Sequence, residues 1–266
     1  MSAIDAAPRQ IAQKSSFDDV AQIYAAVRPG YPAALYDDLS GLDALNPRTR
    51  VLEVGCGGGQ ATSDLAARAG RVVALDPGAR LIEEARRRVS GPNVEFVVSR
   101  FEDYAPDPGG FDLVASAQAW HWVPRQLAFP KAAEALSPGG WLAVFGHVPL
   151  AVPAPFEAPF KAAFDRYAPG VWGAPPSQAA YLPSGPIVGT FAWSALFGPV
   201  MHRSYPWTWS LNPETLGAYL RTDSSYHFLP DAERFALFDA LSDAVATGGG
   251  VLPAAWETHL YLACRL

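Results

Sequence analysis

The residues best suited to chemistry lie in the run VLEVGCGGGQ, residues 51–60. Four residues of a predicted strand lead into a turn, residues 55–59, that has almost no side chains, and a helix is predicted from residue 60 to residue 69. Such a turn presents backbone N–H groups to a ligand at a helix N-terminus. Glu53 lies inside the apolar strand, where an unpaired carboxylate is costly to bury, so the sequence favours a functional role for it.

A second predicted strand, residues 71–75, ends directly before Asp76, seventeen residues after Gly59. A carboxylate in this place is suited to accept hydrogen bonds from the two hydroxyls of a ribose. The simpler alternative is that Asp76 caps the helix predicted from Ala79, and one side chain can do both. The glycine turn and Asp76 together predict a cofactor that contains a nucleoside.

The spacing of the glycines indicates which nucleoside cofactor fits. A dinucleotide-binding turn needs Gly or Ala at the sixth position of Gly-x-Gly-x-x-Gly. That position is Gln60 when counted from Gly55 and Thr62 when counted from Gly57, so both registers fail. The turn instead suits a ligand with a ribose, a carboxylate and an amine but no pyrophosphate, which describes S-adenosylmethionine. Its carboxylate is favoured near the helix N-terminus, and its cationic part near Glu53.

Composition narrows the class of protein. The 266 residues are half hydrophobic, which is enough for one α/β core with an added lid. A net charge of −6 argues against a nucleic-acid modifier, which usually carries a basic face. Cys56 and Cys264 make no disulfide framework and no metal-ligand pattern, which fits a reducing compartment. Without a signal-peptide or membrane-span pattern, we expect a cytoplasmic monomer or homodimer that binds no metal, membrane or nucleic acid.

Strand and helix patterns alternate along the first half of the chain, which predicts right-handed crossovers and a parallel sheet. The predicted strands are residues 50–54, 71–75, 94–98, 111–116 and 141–146, followed by strands 201–211 and 257–266. The predicted helices are residues 60–69, 79–89, one that ends near Leu136, one that Asn212 caps, and 231–246. Between Pro149 and Pro186 this alternation stops, and a proline-rich and aromatic insertion is predicted to form a lid.

These patterns divide the chain into a loose segment, residues 1–16, and a single domain, residues 17–266. The domain comprises an N-terminal helical cover (17–45), a cofactor-binding core (46–148), a lid insertion (149–195) and C-terminal strands and helices that complete the sheet (196–266).

The chain resembles the class I S-adenosylmethionine-dependent methyltransferases. The motifs that carry the resemblance are VLEVGCGGG, VVALDP, VEFVVSRFEDY, FDLVASAQAWHW and LSPGGWLAVF, in this order. FDDVAQIYAAVRPGYP near the start, and YLRTDSSY and LPAAWETHLYLACR near the end, are similar to the trans-aconitate-methyltransferase-like branch. The resemblance covers roughly residues 17–265. It implies a Rossmann-like α/β fold with a mostly parallel seven-stranded sheet, helices on both faces and a helical lid, and methyl transfer that leaves S-adenosylhomocysteine.

The resemblance also implies which residues contact the cofactor. They are Gly55, Cys56 and Gly57 at the methionyl end, Asp76 and Pro77 at the ribose, Leu81, Phe101 and Glu102 at the adenine, Ala117 and Gln118 at the sulfonium, and Tyr24 and Arg28 as a cover. Arg28 is a plausible partner for the carboxylate, although it could equally be a solvated turn residue, and Tyr24 could be ordinary core. Arg100 stands where many relatives have Asp, so recognition of the adenine amine falls to Glu102 or to backbone.

The reaction itself needs little from the protein beyond placing a nucleophile in line with the C–S bond and excluding water. A general base helps only with a hydroxyl, an enolisable carbon or a protonated amine. His121 is the candidate base, and the alternative interpretation is that its imidazole has a structural role between two tryptophans. The predicted acceptor contacts are Tyr31, Trp122, His147 and Trp172.

The many tryptophans of the second half favour an aromatic or apolar small-molecule acceptor. A small carboxylic acid is the alternative, and it would need a further arginine such as Arg203 or Arg221. Two other classes of function stay open. One is a nicotinamide-dependent oxidoreductase, against which the glycine spacing argues, and the other is a protein that binds S-adenosylmethionine without transferring its methyl group.

Overall fold

The computed structural model describes residues 20–173, 177–191, 195–226 and 228–266. The predicted loose segment, residues 1–16, therefore lies outside the described residues. The strands are β1 Arg50–Val54, β2 Arg71–Asp76, β3 Val94–Val98, β4 Phe111–Ala117, β5 Leu136–Pro149, β6 Met201–Leu211 and β7 Leu252–Cys264. The α-helices are α1 Ala21–Val27, α2 Ala33–Gly41, α3 Thr62–Ala66, α4 Ala79–Arg88, α5 Arg125–Ala135, α6 Ala154–Tyr167, α7 Pro186–Phe191, α8 Pro213–Arg221 and α9 Asp231–Thr247. Short 3₁₀ helices occupy Trp120–Trp122, Ser177–Tyr181 and Ser224–Tyr226.

The strands form one seven-stranded sheet in the order β3-β2-β1-β4-β5-β7-β6. The pairs from β3 to β5 are parallel, whereas β7 is antiparallel to both β5 and β6. The predicted mostly parallel seven-stranded fold is confirmed. The strand order changes direction between β1 and β4, and in sheets of this type ligands bind in the crevice at the carboxyl ends of the strands beside such a switch point.

The two faces of the sheet carry separate apolar layers, because successive residues of a strand point to opposite faces. On β1, Leu52 packs in one layer with Phe129 of α5, while Val51 packs in the other with Leu35 of α2 and Leu65 of α3. Glu53 follows the same alternation as Val51, so its carboxylate lies on the α2 and α3 side. Helices on both faces therefore bury the sheet, as predicted.

The predicted lid region contains α6, which packs into a third apolar cluster with α8 and α9. Phe160 and Phe164 of α6 lie in this cluster with Leu237 and Phe238 of α9. The cluster is built on the ends of β6 and β7, and Leu211 and Trp256 belong to it. This part of the insertion thus belongs to a helical subassembly at the end of the sheet, whereas Phe191 of α7 packs with Phe129 on one face of the sheet. The role of the insertion as a lid stays a prediction.

Among the element boundaries that differ from the sequence prediction, three are accompanied by specific backbone contacts. Helix α3 ends at Ala66 instead of residue 69, since Gly70 and Arg71 both donate to the Thr49 carbonyl and start β2. Strand β5 starts at Leu136, which pairs with Phe111, so no loop separates it from α5. Strand β7 starts five residues before the predicted residue 257, because pairing with β6 continues to Leu252.

Candidate cofactor and acceptor cleft

A cleft opens where β1 and β4 end, at the switch point of the sheet. Its floor is the turn after β1 and the first residues after β4. Its lining residues are Tyr24, Arg28, Pro29, Tyr31, Gly55, Cys56, Gly57, Gln60, Ala61, Ala117, Gln118, His147, Tyr219 and Trp256. The cover comes from α1 and the turn after it, and the far wall comes from α8 and β7.

The glycine turn is held by backbone contacts to the end of β2. The N–H groups of Gly55 and Cys56 both donate to the Leu75 carbonyl at 2.9 Å, and the Gly57 N–H donates to Asp76 Oδ2 at 2.9 Å. Gly55 has φ +74°, and a Cβ there would lie 2.3 Å from the Cβ of Ala119. Only glycine fits this position, because the conformation is left-handed and the neighbouring chain comes too close for any side chain.

Asp76 is buried and connects two elements. Oδ2 accepts the Gly57 N–H, and Oδ1 accepts the N–H of Gly78, the residue before α4, at 2.8 Å. The carboxylate therefore orders both the glycine turn and the start of a helix.

Glu53 lies beneath the glycine turn and is 1% exposed. Its Oε2 accepts the Thr62 hydroxyl at 2.7 Å, while Oε1 has no partner among the described residues. Burial raises the pKa of Glu53 from an ordinary 4.5 to about 7, against the lowering effect of the Thr62 hydrogen bond. An orphaned buried carboxylate oxygen is costly, and a donor from a ligand amine would relieve that cost.

Arg28 reaches from the end of α1 to the end of α8. Its Nε donates to Thr222 Oγ1 at 2.9 Å, and one terminal nitrogen donates to the Thr222 carbonyl at 2.7 Å. Its guanidinium carbon lies 4.6 Å from the ring centre of Tyr219 and 5.1 Å from that of Tyr24. Among the residues that the structure describes, Arg28 forms no ion pair, so its positive charge remains available at the cleft wall.

His147 lies at the other side of the cover. Its Nε2 is 3.1 Å from the Gly30 carbonyl oxygen, its Nδ1 is 2.8 Å from Thr258 Oγ1, and its ring stacks on Tyr31 at 4.3 Å. Burial lowers the pKa of His147 from 6.5 to about 3, although the Gly30 hydrogen bond favours the charged form. The imidazole is therefore neutral, and both of its nitrogens are occupied.

Gln118 follows β4 at the position predicted to border the sulfonium. It has φ +56°, an uncommon conformation for a residue other than glycine, and its N–H donates to the Phe145 carbonyl at 2.9 Å. The side-chain amide donates to the His147 carbonyl at 3.3 Å, and Oε1 has no partner among the described residues. This strained residue lies between the glycine turn and His147, at the centre of the cleft.

Residues 51–140, which include the glycine turn, Asp76 and Gln118, match a family model described as "Methyltransferase domain". Residues 51–140 are thus similar to a methyltransferase domain. An uncharacterized methyltransferase of Mycobacterium tuberculosis is 35% identical over 127 residues, which are 48% of this chain and 50% of that protein. A trans-aconitate 2-methyltransferase of Rhodopseudomonas palustris is 36% identical over 40% of this chain and 42% of its own length. A ubiquinone biosynthesis O-methyltransferase of Xanthomonas campestris is 39% identical over 36% of this chain and 42% of its own length.

The chain thus spans half or less of the length of these curated relatives. Solved structures extend the similarity of fold beyond the matched domain. A type II methyltransferase candidate from Anaeromyxobacter dehalogenans has a TM-score of 0.57 at 24% identity, with 90% of this chain and 96% of that chain covered. A phosphoethanolamine N-methyltransferase of Haemonchus contortus has a TM-score of 0.54 at 16% identity, with 93% of this chain and 57% of that chain covered. The predicted class I methyltransferase fold is confirmed.

The cleft brings together half of the residues predicted from the sequence. Those that line it are Tyr24, Arg28, Tyr31, Gly55, Cys56, Gly57, Ala117, Gln118 and His147. Glu53 and Asp76 lie directly behind the glycine turn. The other predicted residues lie outside the cleft lining, and their surroundings differ.

On the predicted adenine side, Pro77 is exposed, whereas Leu81 and Phe101 are buried. Glu102 forms an ion pair with Arg100 at 2.8 Å. The Arg100 guanidinium therefore engages the carboxylate that was expected to meet the adenine amine. The roles of these residues at the cofactor stay predictions.

The predicted base and two predicted acceptor contacts also lie away from the cleft lining. His121 Nδ1 is 3.2 Å from the Tyr181 hydroxyl, and Trp122 packs beside the same imidazole at 4.7 Å. Trp172 packs on Phe164 of α6, with ring centres 5.4 Å apart. These positions favour the structural alternative for His121 and a packing role for Trp172.

Five residues that line the cleft were not predicted from the sequence, namely Pro29, Gln60, Ala61, Tyr219 and Trp256. Tyr219 and Trp256 stand inside the two C-terminal motifs that resemble the family, so those motifs held a signal for them. The indole N–H of Trp256 is buried and has no partner among the described residues.

None of the titratable side chains that line the cleft is suited to act as a base near neutral pH. Burial raises the pKa of Tyr24, Tyr31, Tyr219 and Cys56, and it keeps His147 neutral with both nitrogens occupied. In the described part of the chain, no group of three or more His, Cys, Asp and Glu residues could hold a metal ion. No described helix combines the length and apolar character that crossing a membrane requires.

Proposed function

We propose that this protein binds S-adenosylmethionine and transfers its methyl group to a small-molecule acceptor. When bound, the cofactor supplies a methyl group on a positively charged sulfur, which an incoming nucleophile can displace in line. The observation that carries the proposal is the cleft at the switch point, whose floor is a glycine-rich turn ordered by Asp76. The methyltransferase names of the relatives, and the S-adenosylhomocysteine in the Haemonchus contortus structure, support it.

The residues behind and above the glycine turn suit the polar groups of the cofactor. Asp76, at the carboxyl end of β2, would accept the ribose hydroxyls. Glu53, with its orphaned Oε1, would take the amine, and Arg28 would take the carboxylate. These three residues give the pocket one donor and two acceptors, which matches the charges of an amino-acid tail and the polarity of a sugar.

The acceptor would occupy the part of the cleft between Gln118 and the aromatic wall. Tyr31, Tyr219 and Trp256 are the aromatic residues of this wall, and they would offer flat apolar faces to a planar molecule. We therefore propose an aromatic or otherwise apolar small molecule as the acceptor. The rings would exclude water from the reaction, and the cover residues would orient the nucleophile.

A small carboxylic acid is the second candidate acceptor, and two observations favour it. The guanidinium of Arg28 has only neutral hydrogen-bond partners among the described residues, and none of the titratable groups of the cleft lining is suited to remove a proton. A carboxylate carries its own nucleophilic oxygen and needs no base. Arg28 would then attract the acceptor instead of the carboxylate of the cofactor.

We also propose that the protein is located in the cytoplasm and is a monomer or a homodimer.

Calorimetry with S-adenosylhomocysteine and with NAD tests the cofactor assignment. We expect binding of the first and none of the second, and the reverse result would support an oxidoreductase. Transfer is tested with S-adenosylmethionine labelled in its methyl group, against matched phenols and carboxylic acids. Label in a phenol or in a methyl ester separates the two acceptor classes. Cofactor binding without transfer to any acceptor would favour the non-methylating alternative.

A further inference from the structure

We propose that Thr258 is a positioning residue that acts through His147 to hold the cover turn, Pro29 to Tyr31, over the cleft. Thr258 is on β7 and does not line the cleft, yet it contacts the imidazole that bonds this turn. The inference rests on the proposed function in one respect, because a fixed cover turn affects function only through a ligand bound in the cleft beneath it.

The hydrogen bonds around His147 form a chain with a single possible direction. At one end the Trp207 indole N–H, which can only donate, gives its proton to Thr258 Oγ1 at 3.0 Å. At the other end the Gly30 carbonyl, which can only accept, lies 3.1 Å from His147 Nε2. The imidazole proton is therefore on Nε2, and Nδ1 accepts the hydroxyl proton of Thr258 across 2.8 Å.

One imidazole thus fixes two features of the cover turn. Its Nε2–H holds the carbonyl of Gly30, and its face stacks on the ring of Tyr31 with an interplanar angle of 20°. Tyr31 in turn meets Phe145 edge-on at 4.8 Å. The position of the Tyr31 ring at the cleft wall consequently depends on the orientation of His147.

Because the hydrogen-bonded groups around His147 are buried, this series of hydrogen bonds is sensitive to the loss of any one donor or acceptor. Thr258 is 0% exposed and His147 is 4% exposed, so water cannot readily replace a missing donor. Without the Thr258 hydroxyl, both His147 Nδ1 and the Trp207 N–H lose their partners, and an unsatisfied buried polar group is costly. The ring would relieve that cost by turning, which loosens the cover turn. Arg28, which directly precedes the cover turn, would stay attached to Thr222.

The test compares Thr258→Val, which keeps the shape, with Thr258→Ser, which keeps the hydroxyl. Thr208→Val, on the exposed face of β6, is the matched control. Hydrogen exchange of the peptide that covers residues 28–35 reports the cover turn, and the ¹⁵N resonances of His147 report its tautomer and the hydrogen bond at Nδ1. Calorimetry with S-adenosylhomocysteine reports the consequence for the cleft.

In Thr258→Val we expect at least fivefold faster exchange of this peptide, a His147 Nδ1 resonance without the hydrogen-bond shift, and three- to tenfold weaker binding of S-adenosylhomocysteine. Thr258→Ser and the control should behave as the wild type. If Thr258→Val does not fold, Trp207→Phe removes the other end of the chain and should shift the Nδ1 resonance and speed exchange in the same direction.

Unchanged exchange in Thr258→Val, or equal effects of Thr258→Val and Thr258→Ser, would overturn the positioning role. A wild-type protein that binds no S-adenosylhomocysteine would instead refute the proposed function. In that case exchange and the His147 resonances still decide whether Thr258 holds the cover turn.

Discussion

The carboxylate of Asp76 accepts the backbone N–H of Gly57 at 2.9 Å, so the end of β2 holds the turn that follows β1. The second oxygen of the same carboxylate accepts the Gly78 N–H at the start of α4. The residue proposed to bind the ribose therefore also shapes the floor of the cleft. Substitutions at Asp76 should act on the ligand and on the turn together, and a good test must separate these effects.

Asp76→Asn should weaken binding of S-adenosylhomocysteine at least tenfold and lower the free energy of unfolding by about 1 kcal/mol. The amide has one accepting oxygen, so it cannot serve Gly57, Gly78 and a ribose at once. Calorimetry gives the affinity and urea unfolding gives the stability. Asp107→Asn, an exposed position before β4, is the control. Loss of stability with unchanged affinity would mean that the ribose lies elsewhere.

Arg28→Met should weaken binding of S-adenosylhomocysteine by roughly 10- to 100-fold, the value of one charge-assisted hydrogen bond to a carboxylate. Binding of 5′-methylthioadenosine, which lacks the amino-acid tail, should change by no more than about threefold, because that ligand has no carboxylate for Arg28. Arg166→Met is the control, since this exposed arginine also lies against a tyrosine ring, that of Tyr167, and does not line the cleft. Equal losses for the two ligands would show that Arg28 shapes the cleft and does not recognise the tail.

Glu53→Gln should change how stability depends on pH. The pKa of Glu53 is about 7 in the folded protein and 4.5 in an unfolded chain, so the folded state keeps a proton that the unfolded state loses between these values. The wild type should therefore lose stability as pH rises from 4.5 to 7, by up to roughly 3 kcal/mol. Gln keeps the acceptor for Thr62 and cannot ionise.

The measurement is the difference in unfolding free energy between Glu53→Gln and the wild type at pH 5 and at pH 8. Relative to the wild type, the variant should be more stable at pH 8 than it is at pH 5. Titration of His147 contributes equally to both proteins and cancels. A difference that stays constant with pH would mean that Glu53 titrates at its ordinary value.

His121→Ala should leave turnover within about twofold of the wild type, whereas loss of a general base typically costs 10²- to 10⁴-fold. The imidazole contacts Tyr181 and lies outside the cleft lining, so it is not placed to take a proton from an acceptor. The assay is methyl transfer to whichever acceptor the screen identifies, with Tyr181→Phe as a second variant that breaks the same contact. A fall of a hundredfold or more in kcat with cofactor binding kept would restore His121 as the base.

The sequence by itself determined the core of this protein. The glycine turn, the acidic residue after the second strand and the alternation of strands and helices are local patterns, and each depends on neighbours within about twenty residues. They predicted a mostly parallel sheet, which is confirmed, and they placed Asp76 at the end of its second strand. They also predicted that Glu53 is functional, because a carboxylate within an apolar strand is unusual in any fold.

Only the tertiary structure decided how the walls of the cleft are built. Arg28 meets Thr222 across 194 positions of the sequence, and His147 meets Thr258 across 111. The sequence alone left Arg28 between a ligand contact and a solvated turn residue, and it could not show that both nitrogens of His147 are occupied. Hydrophobic periodicity carries no information about which distant polar groups become partners. Those partners are fixed only when packing of the sheet and helices removes water and requires each buried donor to find an acceptor.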